Sequence, residues 1–184
     1  MVPVILLTLL IAGIPSVLGA QSPTARQAFD RLDPQEQTLV STWLEQDCSV
    51  QERRRVTDRV EALGRKLEPV FWEAYRVGPP DRTVERLKVQ LAARYAERQS
   101  RLQQIGPELF GKEETAQLLT LTPTEFVQRG LTHYQQRYRS AALSGLGLVG
   151  ADRKPLEDIA HDASSPLAIA AQEALRTMSD HPQH

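Results

Sequence analysis

The sequence is poor in cysteine, which can cross-link a protein core, and in aromatic residues, which fill much of the core in many proteins. Cys48 is the only cysteine among 184 residues, so an internal disulfide is excluded by counting. We interpret Cys48 as a small buried hydrophobic residue, with a reactive thiol or an intermolecular disulfide as the alternatives. Aromatic residues make up only 5% of the chain, so leucine and alanine must fill most of the core.

The sequence also lacks the common catalytic and ligand-binding motifs. It has no Gly-x-Ser-x-Gly elbow, phosphate-binding glycine loop, His-Glu-x-x-His or cysteine pair. His161 beside Asp162 suggests an acid–base pair, but neighbouring residues of a helix point in different directions. His181 and His184 lie near the C-terminus, where a flexible segment binds metals only adventitiously. We therefore predict no catalytic residue, no cofactor and no metal site.

No excess of one charge sign is present. The 22 basic and 23 acidic residues give a net charge of −1, which favours neither nucleic acid nor anionic lipid as a general partner. The densest basic run is Arg53 to Arg55. Acidic residues interleave with it, as in a solvated helix face, and a local anionic contact is the alternative.

Residues 1–20 contain no charged residue and no histidine. Their apolar run, 4–14, is short for a membrane-spanning helix, which needs about 20 residues. Small residues follow it up to Ala20, as at a signal-peptide cleavage site. We therefore expect a signal peptide and a periplasmic or secreted protein. Because the positive start of a signal peptide is missing, an uncleaved anchor holding the domain outside the cytoplasm is the alternative.

The remaining chain has almost no strand signals, and helix-start patterns recur instead. Asp33, Ser49 and Thr122 each precede a glutamate by three residues, the spacing of a capping box. A long amphipathic helix is predicted from Asp81 to just before Gly106, followed by a connector that carries a short helix up to Leu121. The last helix is expected to begin at Pro166. We predict one all-α domain over residues 21–178 and a disordered tail over 179–184.

Small and large apolar residues recur together near the C-terminus. Ala142 and Ala171, Gly145 and Ala174, and Leu146 and Leu175 are each 29 residues apart. A repeat of this size is typical of solenoids, in which helical hairpins bury their apolar faces against the next unit. The turns of the unit are predicted at "GADRKP" and "HDASSP".

The segment 139–178, "RSAALSGLGLVGADRKPLEDIAHDASSPLAIAAQEALRTM", resembles the HEAT-like repeats, specifically the short variety found in phycobilisome lyase proteins. The resemblance implies a short, partly degenerate α-solenoid of stacked helical hairpins. It also implies a ladder contact between Arg139, early in the first helix, and Asp162 at the turn between repeats.

The densest aromatic cluster is "FWEAY", residues 71–75. Core packing explains it most simply, but an exposed Trp72 with Tyr75 and Arg76 would form a typical protein-binding hot spot. These three residues and Arg139 are our candidate partner-binding residues. We expect an exported, non-enzymatic scaffold that binds a protein or peptide in the cell envelope. The alternatives are an enzyme or enzyme-maturation factor on the same scaffold, and a membrane-tethered scaffold.

Overall fold

The structure is a computed structural model that describes residues 26–46 and 48–180. The predicted signal peptide therefore lies outside the described residues. The described part contains helices and no strand, which confirms the all-α prediction. In chain order the α-helices are α1 (Gln27–Asp30), α2 (Pro34–Glu45), α3 (Val50–Leu63), α4 (Glu68–Val77), α5 (Asp81–Leu109), α6 (Lys112–Leu119), α7 (Pro123–Leu148), α8 (Arg153–His161) and α9 (Ala168–Asp180), with a 3₁₀ turn at Gly64–Leu67 between α3 and α4.

The three predicted helix starts are confirmed by their hydrogen bonds. The Asp33 carboxylate accepts the backbone N–H of Glu36 at 2.9 Å, and the Glu36 carboxylate accepts the N–H of Asp33 at 3.3 Å. Thr122 and Glu125 form the same reciprocal pair at the start of α7. Ser49 caps α3 with its hydroxyl. Local sequence therefore determines where these helices begin, because each cap satisfies amide groups that the helix leaves unpaired.

Two helix boundaries differ from the prediction. Helix α5 does not end before Gly106 but continues through Pro107 to Leu109. The close packing of Gly106 supports this turn, since a Cβ on Gly106 would lie 2.7 Å from the Thr115 side chain of α6. Helix α9 begins at Ala168 rather than Pro166, and a turn in which the Ser165 hydroxyl accepts the N–H of Leu167 precedes the helix.

The end of the chain also differs from the predicted tail. Ser179 and Asp180 belong to α9, whereas we expected the disordered tail to begin at 179. Residues 181–184 lie outside the described residues. The short helix that we predicted within the connector is confirmed and is α6.

The main core is built around α4 and α7. Phe71 of α4 is fully buried, and its ring fills the space that a side chain on Gly145 of α7 would need. Trp43 of α2 packs against Phe71 and donates its indole N–H to the Ala141 carbonyl at 2.8 Å. This hydrogen bond satisfies the polar atom of a large aromatic residue at the edge of the core.

The two sequence-related helices α7 and α9 pack directly against each other. Ala142 and Ala171 are both fully buried. A Cβ on Gly147 would lie 2.6 Å from the carbonyl oxygen of Ala174, so the two backbones touch at this point. The close backbone contacts of α8 are with α9 rather than with α7. Gly147, which is not among the residues at the 29-residue spacing, thus allows the close approach of α7 and α9, whereas Gly145 of that set packs against Phe71 of α4.

Helices α5 and α6 lie outside the main core. None of their residues belongs to the buried cluster around Phe71, and the buried Leu91 of α5 contacts Gly130 of α7 instead. Helix α6 folds back along α5, where the Arg98 guanidinium donates to the Leu118 carbonyl at 3.2 Å and the Tyr95 hydroxyl to the Leu121 carbonyl at 2.9 Å. We call residues 98–119 the arm.

Candidate functional site

The structure brings Trp72, Tyr75 and Arg76 together on α4. The rings of Trp72 and Tyr75 meet edge to face, with centroids 5.9 Å apart, and the Arg76 guanidinium lies 5.5 Å from the Trp72 ring centroid. Both rings are half-buried against the main core, whereas Arg76 is exposed. The cluster therefore takes part in core packing and also presents one face to solvent.

Arg139 belongs to α7 and lies beside the C-terminal end of α4. Its guanidinium is 3.5 Å from the position that a Cβ on Gly78 would take, and its Nε is buried without a hydrogen-bond partner. The ladder contact with Asp162 is not formed, and that part of the expectation is wrong. The Asp162 carboxylate instead accepts the hydroxyl and the N–H of Ser164, at 2.6 and 3.0 Å, and these bonds lower the pKa of Asp162.

The chain itself covers part of this region. Arg26 donates to the Gly78 carbonyl and, at 3.1 Å, to the Tyr138 hydroxyl, and its guanidinium lies 5.9 Å from the Tyr138 ring centroid. The backbone at the end of α4 thus already has a cationic partner from the start of the described chain. Little room is left there for a groove between α4 and Arg139.

A different surface carries an exposed apolar patch. Ile105, Leu109 and Phe110 lie at the end of α5, and 47%, 64% and 47% of their surfaces are exposed. They border an open cavity of about 300 Å³ that Arg94 and Arg98 also line. Counted at 100° per residue, Pro107 lies on the opposite side of the helix from Ile105. Pro107 has no N–H to donate within the helix, and it does not line the cavity.

A second, polar cavity adjoins the first along α5. It measures about 280 Å³ and lies where α5, α7 and the end of α2 meet. Arg86 and Arg94 of α5 and Arg137 and Tyr134 of α7 line it, together with Glu45 of α2. We call this cavity the arginine cleft. Arg94 lines both cavities, and we call the two together the α5 groove.

The electrostatics of the arginine cleft are unbalanced. Arg86, Arg94 and Arg137 take part in none of the ion pairs found within residues 26–46 and 48–180. The Tyr134 hydroxyl is buried and has no hydrogen-bond partner. Burial raises the pKa of Tyr134 to about 12, with a further contribution from the negative charge of Glu45. The cleft therefore offers hydrogen-bond donors with few acceptors to meet them.

Our choice of site residues from the sequence missed the α5 groove. The predicted amphipathic helix has apolar residues such as Leu91 and Leu102 at helical spacing, and Ile105 and Leu109 continue this spacing. Ending the helix before Gly106 removed Leu109 from this face and left Ile105 as its last residue. The cleft had no comparable signal, because its arginines come from two helices that are distant in sequence.

The other chemical candidates do not converge in the structure. His133 and His161 are both exposed, and Asp162 is held by Ser164. The described residues contain no group of three or more histidine, cysteine or acidic side chains that could hold a metal, and His181 and His184 lie outside them. Cys48 is half-buried and lines a shallow cavity of about 210 Å³ beside Trp43. Arg53 to Arg55 are exposed.

None of the helices in residues 26–46 and 48–180 combines the length and apolarity needed to cross a bilayer. No protein-family model, no curated protein and no solved structure matches the chain. The geometry of the described residues is therefore the basis on which a function has to be inferred.

Proposed function

We propose that the chain is an exported, non-enzymatic helical scaffold that binds another protein or a peptide in the cell envelope. The observation that carries this proposal is the apolar patch of Ile105, Leu109 and Phe110 beside an open cavity. Single exposed apolar residues are common on soluble proteins, whereas adjacent ones that border a groove are typical of interaction sites. Removal of these apolar side chains from water is energetically favourable, and it requires another surface to cover the patch.

The repeat interpretation is part of this proposal. We propose that α7 to α9 form a short HEAT-like unit and a half, with α9 as the counterpart of α7. The burial of Ala142 and Ala171 and the contact of Gly147 with Ala174 support it, because small residues are needed where equivalent helices stack. In such a scaffold α5 and α6 are an addition that presents the α5 groove.

Export is proposed from residues 1–20 alone. The mass of the natural product tests it: loss of the first 19 or 20 residues supports a cleaved signal peptide. An intact chain recovered with membranes would support the tethered scaffold instead.

Site-specific photo-crosslinking in the native envelope tests the binding proposal. We would place a photoreactive amino acid at Ile105 or Phe110 and, in separate samples, at Trp72 or Arg139. Val50, whose exposed fraction is 88%, is the matched control because it is an exposed apolar residue outside the α5 groove.

The expected result is one dominant crosslinked protein at Ile105 and Phe110 and none at Val50. The same protein appearing only at Trp72 and Arg139 would move the site back to α4. No crosslinked protein at any of the four positions would contradict the proposal.

A further inference from the structure

The three arginines of the arginine cleft face only one carboxylate. Arg86, Arg94 and Arg137 lie around a cavity whose only acidic side chain is Glu45. The Arg137 guanidinium is directed to the backbone carbonyl of Glu45 at 3.3 Å and to the Tyr134 ring, whose centroid is 5.7 Å away. Since the chain has a net charge of −1, this local positive excess is a feature of the cleft and not of the whole surface.

The hydrogen-bond donors of the arginine cleft are suited to bind a planar or tetrahedral anion. Guanidinium groups donate several hydrogen bonds and accept none, and they match carboxylates in a two-point geometry. The buried Tyr134 hydroxyl has a proton to donate and no acceptor among the described residues. Leaving such a group unpaired is unfavourable, and a bound acceptor would remove that cost.

The size of the α5 groove excludes a small anion as its full occupant. Arg94, the arginine of the cleft that also lines the apolar cavity, and Leu109 are 15 residues apart on one helix, so the groove is at least about 22 Å long. The polar end of the groove carries the arginines, and the other end carries Ile105, Leu109 and Phe110. An occupant that satisfies both ends has acidic groups and apolar groups about 22 Å apart, a separation that a helix covers with about 15 residues.

On this basis, and resting on the proposed function, we propose that the α5 groove binds an acidic amphipathic helix of a partner protein. Aspartate or glutamate side chains of the partner enter the arginine cleft, and its leucine-like side chains cover the apolar patch. A membrane surface also combines anions with apolar groups. It fits less well, because the cleft is recessed between α5, α7 and the end of α2 and a flat layer of headgroups does not enter it.

A selection from a display library of random 20-residue peptides tests this proposal without assuming a sequence. The full chain, produced with its own N-terminal segment so that natural processing takes place, is the target. We expect enriched peptides to combine aspartate or glutamate with apolar residues at helical spacing. A selected peptide, labelled with fluorescein, is then measured by fluorescence anisotropy.

Charge reversal gives the expected effect and its control. Arg94→Glu and Arg137→Glu should each weaken binding of the selected peptide by about tenfold or more, and binding should weaken further as salt rises. Arg54→Glu, an exposed basic residue on α3 outside the groove, should leave the affinity unchanged. Tyr134→Phe should weaken binding while leaving the fold intact, because it removes only the unpaired hydroxyl.

Other outcomes overturn the inference. Enriched peptides without acidic residues, or an affinity that Arg94→Glu does not change, would contradict the acidic partner. Binding to vesicles of phosphatidylglycerol and phosphatidylcholine that is lost in Arg94→Glu, with no peptide enriched, would assign the groove to a membrane. A protein crosslinked at Ile105 through a segment that is not acidic would refute this inference and leave the proposed function standing, whereas the absence of both crosslinks and peptides would refute both.

Discussion

Replacing Gly147 by alanine tests the contact between α7 and α9. The new Cβ would lie 2.6 Å from the Ala174 carbonyl oxygen and 2.7 Å from its Cα, and both atoms belong to backbone. Ordinary contact would require α9 to move by about 0.8 Å, and such overpacking of a core costs about 1–3 kcal/mol. The gain in helix propensity is at most about 1 kcal/mol and is smaller here, one residue before the end of α7. We expect a net loss of about 1–2 kcal/mol.

Thermal melting followed by circular dichroism measures this loss. For a domain of this size, a loss of 2 kcal/mol lowers the Tm by roughly 4–8 °C. Gly130→Ala is the matched control on the same helix, because its Cβ would meet only the flexible end of Leu91, at 2.7 Å. A rotamer adjustment of Leu91 costs about as much as the propensity gain returns, so this variant should stay within about 0.5 kcal/mol of wild type. A Gly147→Ala protein that melts at or above the wild-type Tm would refute the close α7–α9 contact.

Three further changes have defined outcomes. Ala171→Asp buries an unpaired charge between α7 and α9 and should lower the free energy of unfolding, measured by urea denaturation, by about 3 kcal/mol or more. The control Ile169→Asp, at a residue 72% exposed, should change it by no more than about 0.5 kcal/mol. Equal stability of the two variants would contradict the buried packing. Hydrogen bonds from the Thr122 backbone and side chain lower the pKa of Glu125 below 4.5, so its carboxylate stabilises the folded state above pH 4.5 and this contribution is lost as the pH falls through the lowered value. The difference in unfolding free energy between wild type and Glu125→Gln should therefore shrink on acidification, and a difference that stays constant would refute the linkage. Burial raises the pKa of Tyr134 to about 12, so wild type should lose stability between pH 10 and 12 relative to Tyr134→Phe. In an ultraviolet titration, wild type should show one tyrosine ionising near pH 12 that Tyr134→Phe does not show. Identical titrations of the two proteins in that range would contradict the burial.

Local signals in the sequence identified the helices, whereas contacts between distant residues decided the site. The caps at Asp33, Ser49 and Thr122 depend on residues three positions apart, so the pattern is readable in one dimension. The extension of α5 past Gly106 depends on Thr115, a contact that composition and local propensity do not reveal.

The same distinction applies to the candidate residues. Trp72, Tyr75 and Arg76 were recognisable as a cluster because they share one helix, and the structure does bring them together. Arg139 was assigned a partner by resemblance, and the structure places it beside Gly78 instead. The arginine cleft combines side chains of α5 and α7 that meet only in the folded chain, so no sequence pattern identified it.

The position of the arm outside the main core has a consequence for its motion. Its side chains share no packing with the cluster around Phe71, and they are tied to the rest of the chain through the preceding part of α5 and through the Arg98 guanidinium, which lies 5.9 Å from the Phe126 ring centroid of α7. The arm can therefore open locally at a lower free energy than global unfolding requires. Amide hydrogen exchange should be faster in α6 than in α4, and an occupant of the α5 groove should slow it. Exchange protection of the arm would then report partner binding even in the absence of any change in the melting of the core.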